Sequence, residues 1–591
     1  MRRSEQKTED TWDLESLYES HEDWQKDYDE LSALVPRLEA FRVSFAQADD
    51  KIYETLCAVE DFARRLEKNE TYAFLKLESD GLDAENQRCA ALASSLGARF
   101  QEAVSWLDPA LMGTDEGKLR LWLSQERFAP YRVYVNKVLR MKEHTLSAAE
   151  ERIMALNSEA ASAVSDAFND LNDIDLDFGQ INGDRLTHAG YSFFMHSSDE
   201  QVRRQAYSQL YEEYYQHRHV LSRLYAGSIN QDIFEAKARG YSSCLDAALF
   251  EDNIPSSVYS NLIDTVHENF DVLHRYYRLR AELLRKDRLN HWDVYVPMVS
   301  DQKVNIPYTE AVDLISRAVS VLGDEYTAVL RRGLTQDRWV DRYENEGKRS
   351  GAFSAGSFSG KPFILTSYRQ DLLDSVFTLI HEGGHSMHSY YSAKNNPFLS
   401  YNYTIFEAEV ASTFNEELLS RYMIRNAEDE NMKAFLIAKR LDDIVATFFR
   451  QTMFAEFELL AHQEVEKGGA ATLDWLLKCY RNLLDQYFGP SVSLDDRSSL
   501  ECLRIPHFYR AFYVWKYATG LSAAFTLADR VLCGGERERN DYLAFLSSGG
   551  SQYPLDSLAK AGADLRKKES IEAAVKAFSR LLDQLEAITR G

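Results

Sequence analysis

The sequence predicts a mainly α protein, and three observations carry that prediction. The 591 residues include only 11 prolines, with none between Pro130 and Pro255 or between Pro397 and Pro490. Proline removes a backbone donor and clashes inside a helix, so proline-free stretches of this length suit long helices. Apolar residues recur at three- and four-residue intervals over most of the chain, with Glu, Lys and Arg between them. Strand-like patterns are confined to three short places.

In chain order, Trp12, Leu14, Leu17 and Tyr18 open the helical pattern, and the stretch Ile52 to Phe62 continues it to about position 110. Breaks are expected near Pro109 to Asp115 and at Pro130, and a second helical region runs to about Asp170. Residues 171–198 collect Asp and Gly, and Ile174, Leu176 and Phe178 alternate, which predicts short strands and turns. The helical pattern returns from Asp199 to Lys286. The stretch His291 to Ser300, with Val294, Val296 and Val299, predicts a short extended piece. Residues 347–368 hold Gly347, Gly351, Gly356, Gly360 and Pro362 among Phe353, Phe358, Phe363, Ile364 and Leu365, which predicts a loop with one or two strands. Helices resume at Asp371 and run to Gly591, with breaks near Pro397, Pro490, Pro506 and Gly549 to Pro554. No repeat of fixed period is present.

Composition excludes several classes of function. Hydrophobic residues are 45% and charged residues 27%, as in an ordinary globular protein. The net charge of −25 repels phosphate backbones and anionic lipid, so neither nucleic acid nor a membrane surface is an expected partner; it mildly favours cationic substrates. The six cysteines are scattered without a CxxC pair, which argues against a disulfide framework and for a reducing compartment. The polar stretch Met1 to Thr11 lacks the apolar core of a signal peptide, and no window offers a membrane span. A cytoplasmic protein is expected.

The strongest chemical signal is His381-Glu382-Gly383-Gly384-His385. Residues i and i+4 of a helix share a face, so both imidazoles can approach one metal ion. Glu382 stands about 100° around the helix from His381, where it reaches a water on that metal. Zinc suits two imidazoles and one carboxylate with a position left open. Leu372, Leu373, Val376, Phe377, Leu379 and Ile380 precede the motif and are apolar around much of the circumference, which marks a buried helix. Two adjacent glycines in a helix cost roughly 1 kcal/mol each relative to Ala, so a close backbone approach or a tight helix crossing is expected there.

A third ligand must come from elsewhere. The metzincin layout would need Gly at 388 and His at 391, where His388 and Tyr391 stand. His388 is a rival ligand, packing being the plainer reading. The next helical stretch, Tyr403 to Arg425, carries Glu407, Glu409, Glu416 and Glu417. Glu409 and Glu416 are seven apart and share a face with Ser412 and Thr413, whereas Glu407 points away. One of Glu409 and Glu416 can bind metal while the other orients a ligating histidine, and periodicity does not choose between them. Further on, Tyr509, Tyr513 and Tyr517 stand at helical spacing after His507. They suit an aromatic core stripe, or a set of donors to an oxyanion.

With these residues quoted, the chain resembles the oligoendopeptidase F members of the thimet-oligopeptidase family of zinc metallopeptidases, over nearly its whole length. The resemblance lies in Trp12-Asp13-Leu14 with Leu17-Tyr18, in Tyr191 to Tyr207, in Gly347 to Phe353, in Thr378 to Tyr391, in Ala408 to Thr413 and in His507 to Gly520. It implies a two-lobed, zincin-like helical fold, with a small β element beside the active-site helix and a deep substrate channel. It assigns the third ligand to Glu409, leaving Glu416 as a supporting group. One Zn²⁺ per chain, held by His381, His385 and Glu409, is implied, with Glu382 as general base. Tyr517 and His507 are the implied oxyanion and substrate contacts, with Tyr513 third. Gly383 departs from the family, where relatives often carry a bulkier residue; every ligand is intact.

By the same resemblance, residues 1–110 form a helical region, 111–198 an oligopeptidase F-type N-terminal domain and 199–591 the catalytic domain. The expected activity is endopeptidase cleavage of short unfolded peptides, with the extended piece at Ala352 to Phe358 pairing with the substrate backbone. The competing readings are a zinc carboxypeptidase of similar build, an inactive peptide-binding protein and a purely structural helical scaffold. The sequence leaves the oligomeric state open.

Overall fold

The protein is described by a computed structural model that covers residues 1–300 and 302–590. Contacts divide it into two compact units that alternate along the chain. The first comprises Met1–Glu143, Lys303–Tyr422 and Leu527–Ala563; the second comprises His144–Gln302, Met423–Thr526 and Asp564–Gly591. Helices dominate both, and the sheets are small. Among the described residues, no helix is long and apolar enough to cross a membrane.

In the first unit, helices His21–Ala40, Asp49–Ser79 and Ala84–Val104 pack side by side. Each apolar face supplies the shared core, with Leu31, Leu56, Phe62, Leu96 and Phe100 buried together and the Phe62 and Phe100 rings stacked at 4.9 Å. The Ser20 and Asp83 side chains accept first-turn amides and so fix two of the helix starts. A second core joins these helices to a three-stranded sheet, where Trp12, Trp24 and Tyr72 meet Phe363 and Leu365.

That sheet realises the strands expected within 347–368. Phe363–Leu365 is its centre, pairing in parallel with Val340–Asp341 and antiparallel with Phe353–Ala355, in the register Ser354 to Ile364. The central strand is buried throughout, which explains its unbroken apolar run. The edge strand Phe353–Ala355 lies against helix Leu373–Asn395, which carries the His-Glu-Gly-Gly-His motif, and the Ser354 and Ser386 hydroxyls are hydrogen-bonded at 2.8 Å.

The motif helix is buried on most sides, as its apolar sequence requires. Gly384 is where helix Ile405–Arg425 crosses it. A Cβ on Gly384 would stand 2.7 Å from both the Ala411 carbonyl oxygen and the Ser412 Cα, whereas one on Gly383 would meet only Leu330 Cδ1, at 3.1 Å. The glycine pair therefore contains one obligatory member. Helix Glu536–Ser548 packs along the motif helix as well, and its Tyr542 stacks on Phe414 at 3.8 Å.

The second unit is built around the 39-residue helix Glu200–Ala238 and holds buried ion pairs, among them Arg203 with Asp293 and Arg450 with Glu501. Three of the local expectations need correction here. Residues 171–198 include a helix, His188–Met195, besides the paired strands Gln180–Ile181 and Asp184–Arg185. The stretch from His291 to Ser300 is not extended. His291–Asp293 is a 3-10 turn closed by a reciprocal Asn290–Asp293 cap, and the strand is the preceding Leu289–Asn290. Residues 506–517 are not one helix: Pro506–Tyr509 is a 3-10 turn, and a helix begins only at Trp515.

The crossing at Gly384 yields a stability prediction. A helical Gly→Ala change ordinarily gains about 1 kcal/mol, but overlap with a neighbouring backbone costs about 1–3 kcal/mol. Gly384→Ala is therefore expected to lower stability on balance, and Gly383→Ala to leave it level or slightly raised, when their unfolding is followed in denaturant. Equal effects of the two would contradict the crossing.

Candidate metal centre

The helical spacing of the motif delivers both histidines to one face. His385 Nε2 lies 3.2 Å from His381 Nε2, and Glu409 Oε2 from the crossing helix lies 3.7 Å from the same His381 atom. The ligating atoms of the three residues all fall within 4.8 Å of one another. Glu416, two turns beyond Glu409, takes the other side of His381, with 2.6 Å between Oε1 and Nδ1. That contact commits the Nδ1 proton and turns the Nε2 lone pair toward His385 and Glu409. Two imidazole nitrogens and a carboxylate oxygen thus converge, and this donor set suits zinc.

The supporting residues are less visible in the sequence. The Ser412 hydroxyl donates to the Glu409 carbonyl at 3.1 Å and to Glu409 Oε2 at 3.4 Å. Glu382 is 6% exposed, and the backbone of Ser354 on the edge strand favours its ionised form. Ser354 was not singled out by sequence reasoning, and its only signal was membership of a short strand. Glu407 faces away, as its angular position demands, and accepts the Ser557 hydroxyl. His388 is not with the group: it is buried and stacked flat on Tyr403, with ring centroids 3.6 Å apart, and acts as packing.

Burial and charge tune these groups against one another. Desolvation lowers the affinity of His381 for a proton, but the Glu416 hydrogen bond and the surrounding carboxylates outweigh it and raise its pKa to about 9. His385 is driven down to about 3 by burial and by the His381 charge. Burial lifts Glu382 to about 7, against the pull of His381. Glu409 is raised as well, first by burial. Without metal, the cluster holds one imidazolium among three carboxyl groups, and a divalent cation suits that surplus of acceptors.

In the second unit, His507, Tyr513 and Tyr517 gather into a cluster, with ring centroids 5.4–6.2 Å apart. His507 is exposed and the two tyrosines are half-buried. Tyr509 does not join them and stacks on Phe168 at 4.1 Å. The break that separates it is Phe512, whose φ of 54° is left-handed. A second group of potential ligands, His21, Glu85 and Cys89, also exists among the described residues, but Glu85 is engaged by Arg88 through both carboxylate oxygens.

Comparison with known proteins supplies the wider context. The model described as "Peptidase family M3" matches residues 193–577, and the one described as "Oligopeptidase F" matches 111–178. An "Oligoendopeptidase F homolog" of Borreliella burgdorferi is 39% identical over 589 residues, covering 99% of each chain. "Oligopeptidase PepF" of Bacillus subtilis is 38% identical, over 99% of this chain and 88% of the relative. Among solved structures, the oligoendopeptidase-F of Enterococcus faecium superposes with a TM-score of 0.74 at 32% identity, over 96% of this chain and 99% of that one. A chain from Chlamydophila abortus superposes with 0.94 at 37%, over 99% of each.

The proton on His381 makes cation binding pH-dependent. With a metal-free pKa near 9, one proton must leave for each cation bound, whereas the already neutral His385 releases none. Apparent zinc affinity is expected to rise about tenfold per pH unit up to about pH 9 and then to level, as read by chelator competition. Glu416→Gln should lower the levelling point and weaken affinity by about 10–100-fold. An affinity flat between pH 7 and 9 would refute the assignment of that proton.

Proposed function

Because the chain belongs to peptidase family M3, a family of metallopeptidases, we propose that it is a zinc-dependent endopeptidase that cleaves internal bonds of short unfolded peptides. The carrying observation is Glu382, a buried carboxyl with a pKa near 7 next to the converging donors of His381, His385 and Glu409. A general base works best when its pKa lies close to the operating pH.

His381, His385 and Glu409 would hold the zinc, with Glu416 fixing the His381 ring. Zinc, when bound, polarises the scissile carbonyl and makes water acidic at neutral pH. Glu382 takes a proton from the attacking water and later delivers it to the leaving amine. Tyr517 and His507 donate hydrogen bonds to the carbonyl oxygen as it gains charge, and Tyr513 completes the substrate contact. Their clustering within the second unit supports a shared role. Among the described residues, the edge strand Phe353–Ala355 pairs with only one other strand, and it offers its other side to an extended peptide. The unpaired state of all six cysteines fits a cytoplasmic setting.

Three measurements test this reading. Glu382→Gln is expected to cut kcat by about 10²–10⁴-fold while one zinc per chain is retained; unchanged turnover would remove the base. A peptide blocked at both termini should be cut at an internal bond, which a carboxypeptidase cannot do. Tyr517→Phe should lower kcat about 10²–10³-fold, with KM affected less.

A further inference from the structure

The second unit contains a carboxyl group that none of the proposed chemistry uses. Glu458 lies in helix Arg450–Glu466 and is 0% exposed. Its Oε1 accepts the backbone N–H of Phe512 at 3.0 Å, whereas its Oε2 has no hydrogen-bond partner. No ion pair to Glu458 occurs among the described residues. Burial accordingly pushes its pKa well above the carboxylate range. A half-satisfied buried carboxyl works against folding, and the one hydrogen bond it makes is to Phe512.

Phe512 is itself unusual. A bulky residue at φ 54° is held in a region that L side chains rarely occupy, and such strain persists only where the surroundings enforce it. Here they act at three points. Glu458 takes the N–H, the Trp515 indole N–H donates to the Phe512 carbonyl at 2.9 Å, and the ring packs against His462 at 4.7 Å and Tyr259 at 5.9 Å. The left-handed bend turns the chain between the His507 turn and the helix at Trp515, and it is this turn that brings His507 to within 6.1–6.2 Å of Tyr513 and Tyr517.

We infer that Glu458 is a positioning residue: by accepting the Phe512 amide in its left-handed bend, it holds His507, Tyr513 and Tyr517 together as one donor cluster facing the substrate. The inference rests on the role proposed above for that cluster. What Glu458 contributes is an acceptor at a fixed reach, its Oε1 standing 3.0 Å from the Phe512 nitrogen.

The test compares three substitutions in the full zinc-loaded enzyme on a doubly blocked peptide. Glu458→Gln keeps an acceptor at the same reach and should retain at least about a third of wild-type kcat/KM. Glu458→Met removes the acceptor at similar volume, and Glu458→Asp withdraws it by one methylene. Both should lose at least about thirtyfold, with zinc content intact, and should speed hydrogen exchange at the Phe512 amide. If Glu458→Met does not fold, the Asp and Gln variants decide. Asp or Met variants that keep wild-type kcat/KM per zinc-loaded chain would overturn the inference, as would a Gln variant as impaired as Met. A merely structural role would lower thermal stability and leave kcat/KM per loaded chain unmoved. Parallel His507→Ala, Tyr513→Phe and Tyr517→Phe variants separate the two claims. If these are fully active, the role of the cluster fails. If they are impaired while the Met and Asp variants are not, only the positioning by Glu458 fails.

Discussion

At Gly384, the backbone of one helix rests against the backbone of another, and the candidate site follows from that contact. His385 is the next residue on the motif helix, and His381 stands one turn back. Ala411 and Ser412, the contact points on the crossing helix, lie between Glu409 and Glu416. A methyl group at this position would hold the helices apart. A 2.6 Å bond between Glu416 and His381 leaves no room for such a shift, because hydrogen bonds to charged partners weaken quickly once stretched.

Packing secures the rest of the first unit around this crossing. The small sheet is clamped by Trp12, whose ring lies 6.2–6.4 Å from those of Phe363 and Phe353. Glu67 of helix Asp49–Ser79 accepts the Phe358 amide at 2.7 Å, just beyond the edge strand. N-terminal helices that carry no part of the metal group therefore set the position of the strand beside it. Electrostatics works in the opposite sense to this packing. Glu382, Glu409 and Glu416 crowd a partly desolvated space, and a cation held there would relieve their mutual repulsion.

Much of this was legible in the sequence, and the reason is geometric. Positions 381 and 385, and positions 409 and 416, share helix faces by spacing alone, and the same arithmetic turns Glu407 outward. The mainly α class follows from proline scarcity and periodicity, and the strands near 353 and 363 from β-branched and aromatic residues among glycines. What escaped were features set by contacts between elements or by a single backbone angle. Ser354 acts through its backbone, which any residue possesses. Phe512 gives no warning of a left-handed φ, so the Tyr509–Tyr513–Tyr517 spacing suggests a continuous helix. The caps of the missed helix and turn were present in the sequence: Thr187 accepts the Gly190 amide, and Asn290 pairs with Asp293.

The 2.8 Å bond between the Ser354 and Ser386 hydroxyls pins the edge strand to the motif helix one residue beyond His385. A force on that strand is passed to the helical turn that carries both imidazoles. The strand and the candidate ligands therefore keep one common frame, and neither can shift without the other.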